Sequence, residues 1–283
     1  MPDVGFLNGR FMPLEEAQVP VEDRGFQFGD GVYEVVRTYN GMPFELEAHL
    51  ARLERSAAAI ALARLYDRAQ WVEWVHEGLR RGGHAESKVY IQLTRGVAPR
   101  DHPFPHGAAP TAVMTVRALA PFDPASRENG ISAITVEDVR WGRCDIKSIN
   151  LLPNVMARQR AREAGATEAI FVRGDEVIEG AVSNVLLVKG GTVLTAQEDH
   201  KILAGVTRRV VLDLARKRGV TVREGRVSMQ DLRQADEAFA TGTTVEVLPI
   251  VRVDGRPVGS GRPGPVASDL YACFRDYVAR GPA

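Results

Sequence analysis

Two Asn-Gly pairs place the strongest constraint on how the first third of this chain can fold. Asn8-Gly9 lies inside the stretch from Val4 to Phe11, and Asn40-Gly41 lies inside the stretch from Tyr33 to Leu46. Both stretches otherwise have the composition of strands. Asn-Gly suits the left-handed backbone of a two-residue hairpin turn. The chain is therefore predicted to begin as an antiparallel sheet.

The pattern further along predicts a mixed fold of two domains. Two amphipathic helices, over Glu47 to Ala63 and Asp67 to Arg81, follow the first strands and have the spacing of helices that cover a sheet. From Ile131 onward, strands and helices alternate. We expect an α+β or α/β chain with a smaller N-terminal domain over residues 1–119 and a larger C-terminal domain over residues 131–283. The polar, proline-bearing residues 120–130 would link them.

The totals exclude several classes of partner. Lysine and arginine together number 36 and are balanced by 36 acidic residues, and no basic patch stands out, so nucleic acid is not expected. No apolar run approaches the roughly 20 residues that span a membrane, and the first residues lack the features of a signal peptide. A cytoplasmic location is therefore expected. Cys144 and Cys273 form no C-x-x-C pair, so neither a disulfide framework nor a zinc cluster is indicated.

Lysine is scarce, which makes each lysine informative. The 36 basic residues include five lysines, and four of these stand at a turn, a helix end, a strand end or beside a polar run. Lys147 differs, because it lies between the polar Arg143-Cys144-Asp145 and an apolar helix that is expected to begin near Asn150. A lysine shielded from water there could serve Schiff-base chemistry. From this position alone, an ordinary solvated loop lysine is the more frequent outcome.

Two stretches of the first half could line a polar site. Alternation along Val32 to Tyr39 puts Tyr33 and Arg37 on one face of a strand, whereas an ordinary half-buried strand explains the pattern equally well. The proline-rich loop after Gly96 carries Arg100 and His102, which are suited to binding a carboxylate. A metal site of His102 and His106 is disfavoured, because no acidic or cysteine ligands accompany them.

Two features of the second half bear on anion chemistry. Glu179 ends a predicted strand, where a solvated carboxylate is the more frequent outcome. Gly205-Val206-Thr207 precedes an amphipathic helix, and free backbone N–H groups with a hydroxyl at such a start can bind phosphate. An ordinary helix cap by Thr207 is the competing interpretation.

Taken together, these stretches resemble the fold-type IV pyridoxal phosphate enzymes, and within them the bacterial D-amino acid aminotransferases. The resemblance covers nearly the whole chain. It rests on residues 22–36, Thr94-Arg95-Gly96, Pro99-Arg100-Asp101-His102, Arg140-Trp141, residues 143–148, Glu179-Gly180, Ser183-Asn184 and residues 205–208.

The resemblance implies a role for each candidate residue. Lys147 would bind the cofactor pyridoxal 5'-phosphate at the domain interface and move a proton between the substrate Cα and the cofactor. Glu179 would keep the pyridine nitrogen protonated. Tyr33, Arg100 and His102 would bind the substrate carboxylate, the last two across the interface of a homodimer. The phosphate would be held by four residues: Arg52, Val206, Thr207 and Thr243.

The implied activity is transfer of the amino group from D-amino acids, of the D-alanine or D-glutamate type, to 2-oxo acids such as 2-oxoglutarate or pyruvate. No metal is implied. Alternatives within the fold are a branched-chain L-amino acid or (R)-amine transaminase and an aminodeoxychorismate lyase, and outside catalysis a silent cofactor-binding protein. Ala181-Val182 and Gly242 stand where such enzymes tend to carry serines. These departures bear on rate and substrate range.

Overall fold

The computed structural model describes residues 3–63 and 66–280. Among these residues the chain forms fifteen strands, eight α-helices and a 3-10 turn at Leu14–Glu16. The strands are β1 (Val4–Leu7), β2 (Arg10–Pro13), β3 (Gly31–Tyr39), β4 (Met42–Pro43), β5 (Ser87–Thr94), β6 (Thr111–Ala118), β7 (Ile131–Glu137), β8 (Glu168–Arg173), β9 (Glu176–Gly180), β10 (Asn184–Lys189), β11 (Thr192–Thr195), β12 (Val222–Glu224), β13 (Glu237–Gly242), β14 (Glu246–Val253) and β15 (Arg256–Pro257). The helices are α1 (Arg24–Phe28), α2 (Leu46–Ala59), α3 (Arg68–Gly82), α4 (Pro124–Glu128), α5 (Leu152–Glu163), α6 (Val206–Lys217), α7 (Met229–Arg233) and α8 (Pro265–Arg280). Across the described residues, none of the helices is both long and apolar enough to cross a bilayer.

The strands of the first half pair antiparallel in the order β2-β1-β6-β5-β3-β4. Both predicted hairpins are confirmed, since Leu7 pairs with Arg10 around Asn8-Gly9, and Tyr39 pairs with Met42 around Asn40-Gly41. The apolar stripes of α2 and α3 close one face of this sheet over a core that includes Leu50, Val75 and Ile91.

The predicted alternation along β3 is confirmed from Val32 to Val36, whereas Arg37, Thr38 and Tyr39 are all buried. Val32, Glu34 and Val36 are fully buried on the face toward the core, whereas Tyr33 and Val35 are half-buried on the opposite face. The strand begins at Gly31, where any Cβ would stand 2.5 Å from the carbonyl oxygen of Leu93. Because that separation is too short for a carbon–oxygen contact, β3 requires glycine at this position to pair with β5.

The second half forms a sheet in the order β12-β11-β10-β13-β14-β7-β8-β9, with β15 paired to β14. Strand β7 runs parallel to both β8 and β14, while β8, β9, β10 and β13 contribute antiparallel pairs. Two clusters of buried side chains form its core, one around Ile250 and Leu187 and the other around Phe171 and Ile178. This sheet brings the ends of β9 and β10 together, with Glu179 on β9 and Asn184 on β10.

Contacts divide the chain into two compact units. The first contains the residues up to Ala120 and, in addition, Ile146–Asn150, while the second contains Pro121–Asp145 and the residues from Leu151 onward. The division places Lys147 in the first unit, whereas the sequence pattern predicts it in the C-terminal domain. The physical reason is that Ile146 is 5% exposed within the core of the first unit, and Ile149 donates its backbone N–H to the carbonyl of Gly31.

The segment expected to be a linker, residues 120–130, differs as well. It contains α4, which Asp123 caps by accepting a hydrogen bond from the backbone N–H of Ala125. Arg127 ties this helix to the second unit through Glu246 and through the faces of Phe122 and Tyr271. Proline after aspartate therefore starts a short capped helix here.

Candidate active site

Lys147 lies on the edge of the first unit beside β3. Its carbonyl accepts a hydrogen bond from the backbone N–H of Tyr33 at 2.9 Å, and its own N–H donates to the Ser56 hydroxyl on α2 at 3.2 Å. The side chain is half-buried, and its Nζ lies 4.2 Å from the centroid of the Tyr33 ring. Backbone bonds on both sides thus hold the Lys147 backbone against β3 and α2.

The remaining lysines have other environments. Lys189 and Lys201 are engaged in ion pairs, with Asp231 at 2.9 Å and Glu176 at 2.8 Å respectively. Lys88 and Lys217 are exposed on β5 and at the end of α6. Lys147 is therefore the lysine that combines partial burial with an aromatic neighbour.

Tyr33 connects Lys147 to a second tyrosine. Its ring centroid lies 5.7 Å from that of Tyr90 on the neighbouring strand β5. Burial raises the pKa of Tyr90 to about 12, and its hydroxyl donates to Gln92 at 2.5 Å. Tyr90 consequently stays protonated at physiological pH and lies beside the Tyr33 ring.

Arg52 belongs to a buried charge cluster with Glu34 and His49. Its guanidinium donates to both oxygens of Glu34, through Nε at 2.7 Å and Nη2 at 2.9 Å, and Nδ1 of His49 lies 2.8 Å from the same carboxylate. Burial opposes ionisation of Glu34, but Arg52 and His49 more than offset it and hold the pKa of Glu34 far below its usual value. Burial lowers the pKa of His49, so the ring is neutral and donates from Nδ1.

Arg100 and His102 lie on an exposed loop whose backbone accepts hydrogen bonds from Arg24 and whose side chains contact Phe28. Arg24, 3% exposed, donates to the carbonyl of Asp101 at 2.5 Å and to that of His102 at 3.2 Å. The Phe28 ring lies 4.9 Å from the Arg100 guanidinium and 5.5 Å from the His102 ring. Within the described residues, the contacts of Arg100 and His102 are with α1 and their own loop, and none joins them to Lys147 or Tyr33.

Glu179 is 5% exposed at the end of β9 in the second unit. One oxygen accepts from Arg140 Nη1 at 2.6 Å, and the other accepts from Asn184 Nδ2 at 3.0 Å and from the backbone N–H of Leu203 at 3.1 Å. Donors on both oxygens stabilise the ionised form. The solvated strand-end carboxylate considered from the sequence is not what the structure shows.

Val206 and Thr207 open α6 in the same unit. The helix has no side-chain cap, because Gly205 is its N-cap, and the buried Thr207 hydroxyl has no hydrogen-bond partner among the described residues. Thr207 therefore does not cap its own helix. A Cβ on Gly205 would stand 2.0 Å from the amide oxygen of Asn184, so glycine lets this helix start directly against the residue that holds Glu179.

Thr243 and the two departures from the expected serines lie near one another. Thr243 and Gly242 are half-buried at the turn after β13. A Cβ on Gly242 would lie 3.6 Å from the carbonyl oxygen of Val182, which is 63% exposed. Val182 and Gly242 therefore lie near each other, at positions where the enzymes that this chain resembles tend to carry serines.

Comparison with known proteins establishes the family. The sequence profile of the amino-transferase class IV family matches residues 31–253. This chain is a class IV aminotransferase.

Individual members of the family are similar over almost their full length. The D-alanine aminotransferase of Bacillus licheniformis is 43% identical over 273 residues, which is 96% of this chain and 96% of that protein. The D-alanine aminotransferase of Staphylococcus haemolyticus is 42% identical over 96% of this chain and 97% of its own. Among solved structures, the branched-chain amino acid aminotransferase of Escherichia coli has a TM-score of 0.92 at 26% identity, covering 98% of this chain and 95% of its own.

Class IV aminotransferases depend on pyridoxal 5'-phosphate, and the fold of this chain is fold-type IV. Another branched-chain amino acid aminotransferase, solved with pyridoxamine 5'-phosphate, has a TM-score of 0.92 at 27% identity and covers 100% of this chain and 96% of its own. The residues of this chain fit such a group. The buried, unpartnered Thr207 hydroxyl at an uncapped helix start is the donor that a phosphate needs.

Sequence reasoning missed several residues that hold the candidate groups in place. Glu34 and His49 could have been found, since one is an acid on the buried face of a strand and the other lies three residues before Arg52 on the inner face of α2. Tyr90 was harder to predict from the sequence. It pairs with Val35 on β3, two positions along the strand from Tyr33. Arg140 and Asn184 were noticed as motif residues, but nothing local indicated that both bind Glu179.

The Glu34 cluster generates a prediction about acid stability. Glu34→Gln should lower the free energy of unfolding at neutral pH by roughly 3–5 kcal/mol, because the buried guanidinium of Arg52 loses its anion. The folded-state pKa of Glu34 is lowered, so its contribution is present above about pH 4.3, the unfolded value, and declines as the pH falls further. The lowered pKa of His49 acts in the same direction below about pH 6.5.

Urea unfolding from neutral to acidic pH measures this effect. The stability difference between wild type and Glu34→Gln should shrink as the solution is acidified. Glu77→Gln is the control, because Glu77 also binds two arginines but does so at the surface, where water screens the charges. Equal losses in the two variants at neutral pH would contradict the argument from burial.

Proposed function

We propose that this class IV aminotransferase transfers amino groups from D-amino acids to 2-oxo acids in a ping-pong reaction. The observation that carries the proposal is the position of the half-buried Lys147 amine over the Tyr33 ring, which lies beside Tyr90. The D configuration is supported by the relatives, since proteins named D-alanine aminotransferase share 40–43% of their residues with it.

A branched-chain L-amino acid transaminase is the second candidate, and a specific observation favours it. The solved structures with high TM-scores include branched-chain aminotransferases, at 26–28% identity. Overall shape is shared by both activities, so the higher identity to the D-alanine enzymes outweighs it. The loop with Arg100 and His102 also favours the D-amino acid activity over the branched-chain activity.

Lys147 is the proposed catalytic residue. Bound pyridoxal 5'-phosphate supplies an aldehyde carbon that combines with amines and a ring that accepts electrons from the substrate Cα. With that group bound, the Lys147 amine would remove the Cα proton of the amino donor, and in the second half-reaction it would return a proton to the Cα of the new amino acid. Its backbone bonds to Tyr33 and Ser56 hold the Lys147 backbone against β3 and α2.

The phosphate is assigned to Arg52, Val206, Thr207 and Thr243, and the pyridine nitrogen to Glu179. Val206 and Thr207 offer backbone N–H groups at the positive end of a twelve-residue helix, with the Thr207 hydroxyl as a further donor. Glu179 offers a carboxylate whose ionised form three donors stabilise. In these assignments, the anionic phosphate is bound by a guanidinium and by N–H and hydroxyl donors, and the protonated ring nitrogen is bound by a carboxylate.

Handedness follows from fixed geometry. Lys147 can reach one face of the bound substrate, so the enantiomer that aims its Cα hydrogen at that face reacts. The side on which the carboxylate is bound decides which enantiomer this is. Tyr33, Arg100 and His102 are the proposed carboxylate ligands, and a guanidinium binds a carboxylate through two parallel hydrogen bonds.

A homodimer is part of the proposal. Arg100 and His102 are exposed in the single chain and contact α1, as expected of residues that serve a neighbouring subunit's site. Helix α5 presents Leu152, Val155 and Met156 to solvent along one face, with Val155 60% exposed. An apolar stripe of this kind suits burial against a second copy.

A cytoplasmic location is also proposed. Cys144 and Cys273 are both free thiols, and burial raises the pKa of Cys144 to about 11. Free thiols suit a reducing compartment.

The first functional prediction concerns cofactor and handedness together. The purified protein should be yellow, and adding D-alanine should bleach the band while L-alanine leaves it unchanged. Visible absorbance before and after each addition measures this, with Lys147→Arg as the control that lacks the starting band. Bleaching by L-amino acids alone would overturn the D assignment while leaving Lys147 in place.

The second functional prediction concerns the carboxylate loop. Arg100→Ala should raise the KM for both D-alanine and 2-oxoglutarate by about tenfold or more, with a smaller change in kcat, because a bidentate charged hydrogen bond is lost. His106→Ala is the control, since it changes an exposed residue of the same loop. Unchanged KM values for both substrates would remove Arg100 from the site.

The third functional prediction concerns assembly. Val155→Glu should convert a dimer into a monomer of 30.9 kDa, because a charge would be buried in the apolar face of α5. Sedimentation analysis measures the mass, and Thr221→Glu is the control at an exposed position of the same unit. A monomeric wild-type protein, or a dimer that tolerates Val155→Glu, would contradict the proposed interface.

A further inference from the structure

Asp138 belongs to a chain of alternating charges that leads to Glu179. Arg140 donates to Asp138 through Nε at 2.9 Å and Nη2 at 3.2 Å, while its Nη1 donates to Glu179 at 2.6 Å. On the other side, Arg173 donates to Asp138 at 2.8 Å. The order is therefore Arg173, Asp138, Arg140 and Glu179.

Burial differs along this chain. The side chains of Asp138, Arg140 and Glu179 are 0%, 8% and 6% exposed, whereas that of Arg173 is 36% exposed. Water therefore screens the charge of Arg173 far more than the other three. The buried part consists of two carboxylates and one guanidinium and carries a net charge of minus one.

That net charge depends on Asp138. If Glu179 and Arg140 were alone, the two charges would cancel, and a protonated ring nitrogen beside them would face a neutral pair. With Asp138 present, the guanidinium is shared between two anions, and the group can balance one added positive charge. In a buried site, an unbalanced charge is strongly unfavourable.

We infer that Asp138 is a positioning residue for the cofactor, which acts through Arg140 to keep the group around Glu179 anionic and so holds the proton on the pyridine nitrogen. The inference rests on the proposed role of Glu179. The two hydrogen bonds from Arg140 to Asp138 then have two functions. They keep the group around Glu179 anionic, and together with the Phe171 ring at 4.2 Å they set the direction of the Arg140 side chain. Cys144 is a further titratable group that faces this cluster, and burial raises the pKa of its thiol to about 11, so it contributes no charge at neutral pH.

The test uses the complete enzyme loaded with cofactor labelled with ¹⁵N in the ring. Asp138→Asn should move the ring nitrogen signal toward the unprotonated position, lowering its pKa by about one unit or more, and should raise the dissociation constant of the cofactor about tenfold. Arg173→Gln, which alters the same carboxylate from the exposed side, should leave both quantities nearly unchanged. A purely structural role of Asp138 would lower the melting temperature without moving the ¹⁵N signal.

A double variant separates charge from position. In Asp138→Asn combined with Arg140→Gln, Glu179 alone carries the charge of minus one, so the ring proton should return although the fork is gone. Failure of this rescue would overturn the inference. The double variant also covers the case in which Asp138→Asn alone does not fold, because it removes the buried guanidinium that has lost one of its two carboxylates.

Glu179→Gln distinguishes the inference from the role on which it rests. If Glu179→Gln moves the ¹⁵N signal and Asp138→Asn does not, the inference is wrong and the role of Glu179 stands. If neither variant moves the signal, Glu179 is not the partner of the ring nitrogen, and both fail.

Discussion

A single buried carboxylate, Glu34, underlies the arrangement of the first unit. It stands on the core face of β3, and it is bound by Arg52 and His49 from the inner face of α2. Because Glu34 and Tyr33 are adjacent on the strand, the same pairing that fixes α2 also fixes the ring under the Lys147 amine. Helix α2 then supplies the Ser56 hydroxyl to the Lys147 backbone. Strand, helix and lysine are therefore held by one set of polar contacts inside an apolar core, where leaving any one of them unmade would be costly.

In the second unit, charges of opposite sign lie close together, but they do not cancel, because the buried group around Glu179 keeps a net negative charge. Glu179 receives donors on both oxygens, yet the helix start at Val206 lies immediately beyond Asn184, one of those donors. Gly205 makes this approach sterically feasible. The positive end of α6 and the anionic group around Glu179 are consequently related through one amide side chain. A shift of the Asn184 amide would therefore change both the hydrogen bonding of Glu179 and the packing at the start of α6.

Much of this could be read from the sequence, and the failures have physical causes. The hairpins at Asn8-Gly9 and Asn40-Gly41 and the alternation along β3 were predictable, because turn chemistry and side-chain period act locally. Lys147 and Glu179 could be nominated through motifs, but their surroundings could not, since Arg140 and Asn184 reach Glu179 across separate strands. The linker over residues 120–130 was expected from composition, yet the packing of Arg127 made it part of the second unit. Long-range ion pairs leave no periodic trace in a sequence.

The docking of Ile146–Asn150 on β3 affects how the protein can be made. The first unit is not a continuous stretch of chain, because the backbone partners of Gly31 and Tyr33 belong to residues that follow Asp145. During synthesis, residues 146–150 leave the ribosome only after β7, the first strand of the other unit. The N-terminal sheet can therefore pair with this segment only after β7 has been made. The same arrangement means that joining the first 120 residues of one homologue to the rest of another would mismatch β3 and the lysine segment. Recombination among relatives is thus expected to keep residues 31–39 and 146–150 together as one inherited pair.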